Sequence, residues 1–274
     1  MQGLATDVVW QDRLERIDSK VEDIRLPDVV DGVDQDKEWC EFTVKGEKRR
    51  VRLHDYIDIF RIPGLYEELF YEHLECCSPS YIAKLLDSVV REYGDRLEDF
   101  RVLDVGAGNG MVGDELQDLG VPSIVGIDII PAAKGAAYRD RPEVYDDYRV
   151  TDLTELPEEE EERLRRNDAN CLTTVAALGF SDIPPLAFAK ALDLIATPGW
   201  LAFNLKEDFL REQDGTGFSR LVRELNRDGY IQTLCYRRYR HRVSITGEPL
   251  FYVAVIARKL KDLDNDLLES LQGE

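Results

Sequence analysis

From Arg101 onward the chain alternates short apolar runs with amphipathic ones, and this alternation limits the fold more than any single motif does. RVLDV is followed by GMVGDELQDLG, SIVGID by PAAKGAAYRD, and YRVTD by PEEEEERLRR. ANCLTTVAAL then precedes PPLAFAKALDLIA, and WLAFNL precedes FSRLVRELNRDG. Strands separated by helices predict a parallel, doubly wound α/β sheet, because parallel neighbours need a crossover connection. The rule changes near the end. YIQTLCYRRYRHR and LFYVAVIARK are joined only by SITGEP, so these strands must enter the sheet as an antiparallel hairpin. Such a mostly parallel sheet is not the pair of mononucleotide-binding halves that a dinucleotide enzyme uses.

The first turn of this alternation, VLDVGAGNGMVG at residues 102–113, fits two cofactor spacings. Gly108, Gly110 and Gly113 give G-x-G-x-x-G, while Asp104, Gly106, Gly108 and Gly110 give D-x-G-x-G-x-G. Any glycine-rich turn between a strand and a helix offers backbone N–H groups and the positive end of a helix dipole, so the glycines alone do not choose. The acids do. Asp104 lies inside the strand, where it would gain nothing from a pyrophosphate but would suit the ammonium of a methionine moiety. Asp128, ending the second strand, can accept bonds from both ribose hydroxyls. Asp152, just past the third strand, can accept from an adenine amine while the N–H of Leu153 serves a ring nitrogen. Carboxylates at three successive strand ends, on the edge where open α/β sheets bind ligands, point to S-adenosylmethionine rather than NAD.

On these residues and the terminal hairpin, the segment from about residue 80 to 258 resembles the class I S-adenosylmethionine-dependent methyltransferases. The resemblance implies a Rossmann-like sheet of seven strands in the order 3-2-1-4-5-7-6, and S-adenosylhomocysteine as the spent cofactor. It implies a cofactor-binding set of Tyr71, Asp104, Gly106, Ala107, Gly108, Asn109, Gly110, Asp128, Ile129, Asp152, Leu153 and Ala176. AAYRDRPEVYDDYRVTDL and TVAALGFSDIPP are also similar to the Williams-Beuren-region methyltransferase-like subgroup, in which a short tyrosine-bearing N-terminal segment covers the cofactor.

Methyl transfer from a sulfonium is an in-line displacement with a neutral leaving group. Alignment and exclusion of water therefore do most of the work. A general base is needed only when the acceptor carries a proton, and histidine is the first residue type to consider. His54 and Tyr66 are the catalytic candidates, since both lie in the aromatic-rich stretch HDYIDIFRIPGLYEELFYEHLECC. Small residues at Ala176 and Ala177 leave room for an acceptor, which Phe180 would wall. The expected function is methylation of a small molecule. A protein methyltransferase and a non-catalytic S-adenosylmethionine-binding module remain open alternatives.

Acidic residues outnumber basic ones by 55 to 35, a net charge of −20 that opposes nucleic acid and anionic membrane as partners. YRRYRHR interleaves aromatic and basic residues, but strand alternation would place Tyr236, Arg238, Arg240 and Arg242 together on one face of a charge-protected edge strand. Its other reading is an arginine surface for an anionic small molecule. The five cysteines form no C-x-x-C pair, and no metal site is expected. With no signal-peptide pattern and no spanning apolar run, a soluble cytoplasmic protein is the expectation.

Residues 1–80 are expected to form an N-terminal α+β cap, 81–260 the methyltransferase domain and 261–274 an acidic tail. Within the cap, Leu14, Ile17, Val21 and Ile24 predict one stripe of a helix over 8–25, open to a homodimer contact. EWCEFTV and EKRRVRL predict a hairpin about Lys45-Gly46. Ser78-Pro79 reads as an N-cap and first helical residue.

Overall fold

The computed structural model describes residues 17, 19–28, 35–178, 182–210 and 217–272. A small antiparallel sheet comes first, made of β1 (Val21–Arg25), β2 (Trp39–Val44) and β3 (Glu47–Arg52) in that order. β2 and β3 are the predicted hairpin, with Lys45 and Gly46 both at positive φ in its turn. β1 corrects the helix expected over 8–25, most of which lies outside the described residues. Asp23 sits at φ 57° and the register of β1 against β2 shifts between Glu22 and Arg25. An irregularity of this kind restores Val21 and Ile24 to one side of the strand, where both pack on the core of the cap. The three-residue spacing that mimics a helix is thus a bulged strand, and the stripe offered for a homodimer faces inward at these positions.

Two short helices, α1 (Tyr56–Phe60) and α2 (Leu65–Glu67), follow, and α2 runs on as a π-helical turn over Glu68–His73. The break at Pro63-Gly64 is tight: Gly64 has φ +80°, and a Cβ there would meet Ser19.

The large sheet holds β4 (Arg101–Val105), β5 (Ser123–Asp128), β6 (Asp147–Val150), β7 (Cys171–Thr174), β8 (Gly199–Lys206), β9 (Ile231–Val243) and β10 (Pro249–Lys259). Its order is β6-β5-β4-β7-β8-β10-β9, which in chain order within this sheet is the expected 3-2-1-4-5-7-6. β4 to β8 run parallel, and β10 is antiparallel to both β8 and β9. Successive side chains of β4 go to opposite faces, as a pleated strand requires. Val102 packs under α3 (Ser78–Glu92), α4 (Met111–Asp118) and α5 (Pro131–Asp140). Leu103 packs under α6 (Glu158–Arg165), α7 (Pro185–Leu194), α8 (Phe218–Arg227) and α9 (Asn265–Leu271). The expected acidic tail is therefore partly structure. Asp264 caps α9 by accepting from the Leu267 N–H at 3.0 Å, and Leu267 and Leu271 are buried against α7 and its neighbours.

Two local readings change. Cys77 takes the N-cap position of α3, while the Ser78 hydroxyl turns inward to Tyr239 and His241. Arg242 leaves the exposed face of β9 because the β9–β10 register shifts between Leu250 and Phe251, opposite Arg240–Arg242. The shift sends both His241 and Arg242 inside, where the Arg242 guanidinium pairs with the buried Glu38. Arg238 and Arg240 remain exposed and ion-paired, at 2.9 Å to Glu207 and 2.8 Å to Glu75. No described helix is long and apolar enough to cross a membrane.

Candidate active site

The carboxyl ends of β4, β5, β6 and β7 open into a cleft of about 870 Å³ including its mouth. β4 ends at Val105, and the chain then needs two left-handed residues, Gly106 at φ +73° and Gly108 at φ +54°, to reach α4. Gly110 at φ +92° starts that helix. These conformations favour glycine, and the absence of side chains is also a packing requirement. A Cβ on Gly106 would lie 2.6 Å from the Ala177 Cβ, and one on Gly108 would lie 3.3 Å from the Phe60 ring. Gly113, the third glycine of the dinucleotide spacing, lies inside α4, where a Cβ would lie 2.5 Å from Val144. Its role is close packing, and it selects no ligand.

Asp128 ends β5 and lines the cleft. Its two carboxylate oxygens accept from the Gly108 N–H and the Ile130 N–H, each at 2.9 Å. Burial raises its pKa, and those backbone donors pull it back. Asp152 accepts from the Thr154 N–H at 2.8 Å and the Thr154 hydroxyl at 2.7 Å, which turns the chain after β6 into the cleft wall beside Leu153. Ile129 lines the same wall and is 56% exposed, a large apolar side chain left open to a ligand. Ala176 lines the cleft beyond β7 at φ 57°, and its N–H donates to the Asn204 side chain at 2.6 Å. The roof comes from the cap, with Tyr56, Phe60 and Tyr66 facing the cleft.

The cleft thus gathers Tyr66, Gly106, Gly108, Asp128, Ile129, Asp152, Leu153 and Ala176 from the expected set. The structure does not bring Tyr71, Asp104, Ala107, Asn109 and Gly110 to it. Tyr71 is packed in the cap core near Tyr66, with ring centroids 6.3 Å apart. Ala107 is buried under α4, and Gly110 faces Arg141 and Tyr145. The Asn109 amide donates to Glu67.

Asp104 lies one layer behind the glycines, 1% exposed, accepting from the Tyr145 hydroxyl at 2.8 Å and the Thr173 hydroxyl at 2.7 Å. Burial pushes its pKa up to about 6 despite those two donors. The folded state therefore binds this proton more tightly than the unfolded chain does. Ionising Asp104 costs stability as pH rises from about 4 through 6. Relative to Asp104→Asn, wild type is expected to lose roughly 2 to 3 kcal/mol over that window. Urea unfolding of both proteins at several pH values measures this, and a constant difference would remove the assignment.

His54 is not on the cleft floor. It lines a smaller chamber behind the cleft, and its Nδ1 is 3.8 Å from Asp182 Oδ2. Asp182, which the sequence reading did not single out, lines both spaces. Tyr56, Tyr66 and Ala176 also border both, while His241, Arg242 and Tyr252 border the chamber alone. Burial holds the Tyr66 phenol well above its ordinary pKa, so it serves as a hydroxyl and not as a base. Phe180 falls outside the described residues.

Asp128, Asp152 and Asp182 line the cleft, and no basic residue does so among the described ones. This set of carboxylate acceptors suits a cationic ligand with hydroxyls and an adenine edge, and it would repel a pyrophosphate. The sequence family described as a methyltransferase domain matches residues 78–242. The chain belongs to that methyltransferase-domain family, and its cofactor is S-adenosylmethionine. Solved structures similar to it include an S-adenosylmethionine-dependent methyltransferase of Methanosarcina mazei, at 18% identity over 60% of this chain and 94% of that one, with TM-score 0.44. A magnesium protoporphyrin IX methyltransferase of Synechocystis with bound SAM shares 14% identity over 66% and 79%, with TM-score 0.45. The ribosomal protein L11 methylase of Lactobacillus delbrueckii shares 16% over 66% and 77%, with TM-score 0.42. No curated protein matches the sequence significantly.

In this methyltransferase the glycine loop fits the cofactor because Gly106 and Gly108 line the cleft and present only backbone to it. When bound, S-adenosylmethionine supplies a methyl group on a positively charged sulfur. The chain supplies the carboxylate-lined wall, the aromatic roof and the strained Ala176 corner where cleft and chamber meet.

Proposed function

We propose that this methyltransferase modifies a small molecule whose reacting end enters the narrow chamber behind the cleft, a space of about 30 Å³ that must widen to take more than a small group. The observation that carries this reading is the chamber itself, which is walled by both the cap and the β9–β10 hairpin and joins the cleft at Tyr56, Tyr66, Ala176 and Asp182. A polynucleotide or a folded protein would need an open surface instead. The net charge of −20 and the ion pairs of Arg238 and Arg240 further disfavour RNA. Tyr56 and Tyr66 over the cleft also support the finer resemblance to the Williams-Beuren-region methyltransferase-like subgroup, whose N-terminal segment covers the cofactor. Incubation with methyl-labelled cofactor should label a metabolite pool and leave RNA and protein fractions unlabelled; label in either macromolecular fraction alone would overturn the reading.

Asp128 holds the ribose in this proposal, with Asp152 and Leu153 at the adenine and the glycine loop around the methionine moiety. Asp128→Ala should weaken cofactor affinity by about 1 to 3 kcal/mol, roughly 5- to 150-fold. Calorimetry reads this directly, and unchanged affinity would remove the ribose assignment.

His54 takes the acceptor proton, with Asp182 orienting its ring. A small movement of either side chain turns their contact into a hydrogen bond, and such contacts commonly tighten when substrate binds. His54→Gln should lower kcat by about 10²- to 10⁴-fold on an acceptor that loses a proton, with cofactor affinity unchanged. A variant as fast as wild type would remove the base.

A further inference from the structure

His241, on β9, is a second histidine at the chamber, and the polar contacts behind it determine which ring nitrogen carries its proton. The direction of every bond follows from the first. The Ala176 N–H has no choice but to donate, so the Asn204 atom it meets at 2.6 Å is the carbonyl oxygen Oδ1. Asn204, fully buried, must then donate from Nδ2, at 2.6 Å to the Tyr239 hydroxyl and 3.3 Å to the Ser78 hydroxyl. Tyr239 therefore spends its own proton on Ser78 Oγ, 2.6 Å away. Ser78 in turn has two acceptors within reach of its proton, His241 Nδ1 at 2.5 Å and the Cys76 thiol, and the short bond to the ring nitrogen outcompetes the weakly accepting sulfur. The reverse polarity would leave the buried Tyr239 hydroxyl proton with no acceptor among the described atoms, which proteins avoid.

We infer that this relay locks His241 in its Nε2–H tautomer, making it a hydrogen-bond donor in the acceptor chamber and excluding it as the general base. The division of labour between the two histidines, one taking a proton and one giving a hydrogen bond, rests on the chamber being the acceptor site; the tautomer does not. Burial and the adjoining Arg242 guanidinium both disfavour the imidazolium. The Cys76 thiol, 3.9 Å from Nδ1, is itself held protonated by burial and adds no charge. The Tyr252 ring, centred 4.1 Å away, covers one face of the imidazole. With Nδ1 turned to Ser78, the chamber that His241 lines is left Nε2–H, so the part of an acceptor that meets it is a lone pair on oxygen or nitrogen. The same relay begins at the left-handed Ala176, so one set of buried bonds positions both the cleft corner and the chamber donor.

The test is long-range ¹H–¹⁵N correlation spectroscopy on the ¹⁵N-labelled full chain at pH 7, with His241 assigned by its absence in His241→Gln. The expected pattern is a protonated Nε2 and a lone-pair Nδ1. In Ser78→Ala the signature should move towards a mixture of tautomers, whereas Tyr239→Phe, which keeps the Ser78 hydroxyl, should retain it. A wild-type Nδ1–H tautomer or imidazolium would overturn the inference, as would a wild-type pattern unchanged in Ser78→Ala. The wild-type spectrum decides even if that variant fails to fold. Because no acceptor is added, failure here leaves the small-molecule reading standing, and failure of that reading leaves the tautomer standing.

Discussion

Arg141→Met is expected to lower the free energy of unfolding by about 3 to 5 kcal/mol, the cost of leaving a buried charge without its partner. The Arg141 side chain is 5% exposed and that of Glu67 3%. Arg141 Nη1 donates to Glu67 Oε1 at 2.8 Å and to the Asn109 carbonyl at 3.1 Å, while Nε reaches Asp114 at 3.4 Å. Burial works against the guanidinium charge, and the Glu67 and Asp114 carboxylates more than offset it. Removing Arg141 strands Glu67, whose second oxygen already has no partner among the described atoms. The damage should also reach the site, because this pair ties α2 of the cap to the glycine loop through Asn109. Urea unfolding measures the first effect. Adding Glu67→Gln to Arg141→Met should recover a large part of the loss, since it discharges the stranded carboxylate. A single-variant loss below about 1 kcal/mol would mean the pair is not holding the cap.

Gly106→Ala is expected to abolish measurable cofactor binding while the sheet still forms. Gly106 occupies φ +73°, and its Cβ would meet the Ala177 Cβ at 2.6 Å and the Ile183 side chain at 3.0 Å. Ala177 is held by its backbone and cannot swing away, so either the glycine loop or the Ala176 corner must move. Strain and overpacking each cost about 1 to 3 kcal/mol. Together, at about 2 to 6 kcal/mol, they correspond to a loss of affinity of about 1.5 to 4 orders of magnitude if the loop relaxes only in the ligand-free state. Circular dichroism should remain close to wild type and calorimetry with S-adenosylmethionine should show no heat of binding. Affinity within about tenfold of wild type would show that the loop yields cheaply.

The large sheet was legible in the sequence because its signals are local and repeated. Each crossover pairs an apolar strand with a helix, and the lack of a helix between residues 243 and 249 forces the last two strands antiparallel. Gly106, Gly108, Asp128 and Asp152 were legible for the same reason, since strand ends in such a sheet share one edge. Asp104 had the right spacing but the wrong neighbourhood: strand pleating turns it towards Tyr145 and Thr173, and neither contact leaves a trace in the order of residues.

The cap shows where local reading ends. Val21 and Ile24 carry a helical spacing, yet a bulge produces the same spacing in a strand, and only pairing with β2 separates the two. The inward turn of Arg242 has a similar origin, because one register shift against β10 undoes the alternation that would have exposed it.

By itself, then, the sequence determined the parallel sheet with its terminal hairpin and the acids and glycines at the strand ends, because backbone geometry and side-chain period act over a few residues. Tertiary structure alone decided the Glu67–Arg141 tie, the Asp182–His54 pair and the relay from Ala176 to His241. Those contacts join residues 28 to 163 positions apart, and whether a buried polar group is tolerated there depends on partners that only the folded chain brings within hydrogen-bond reach.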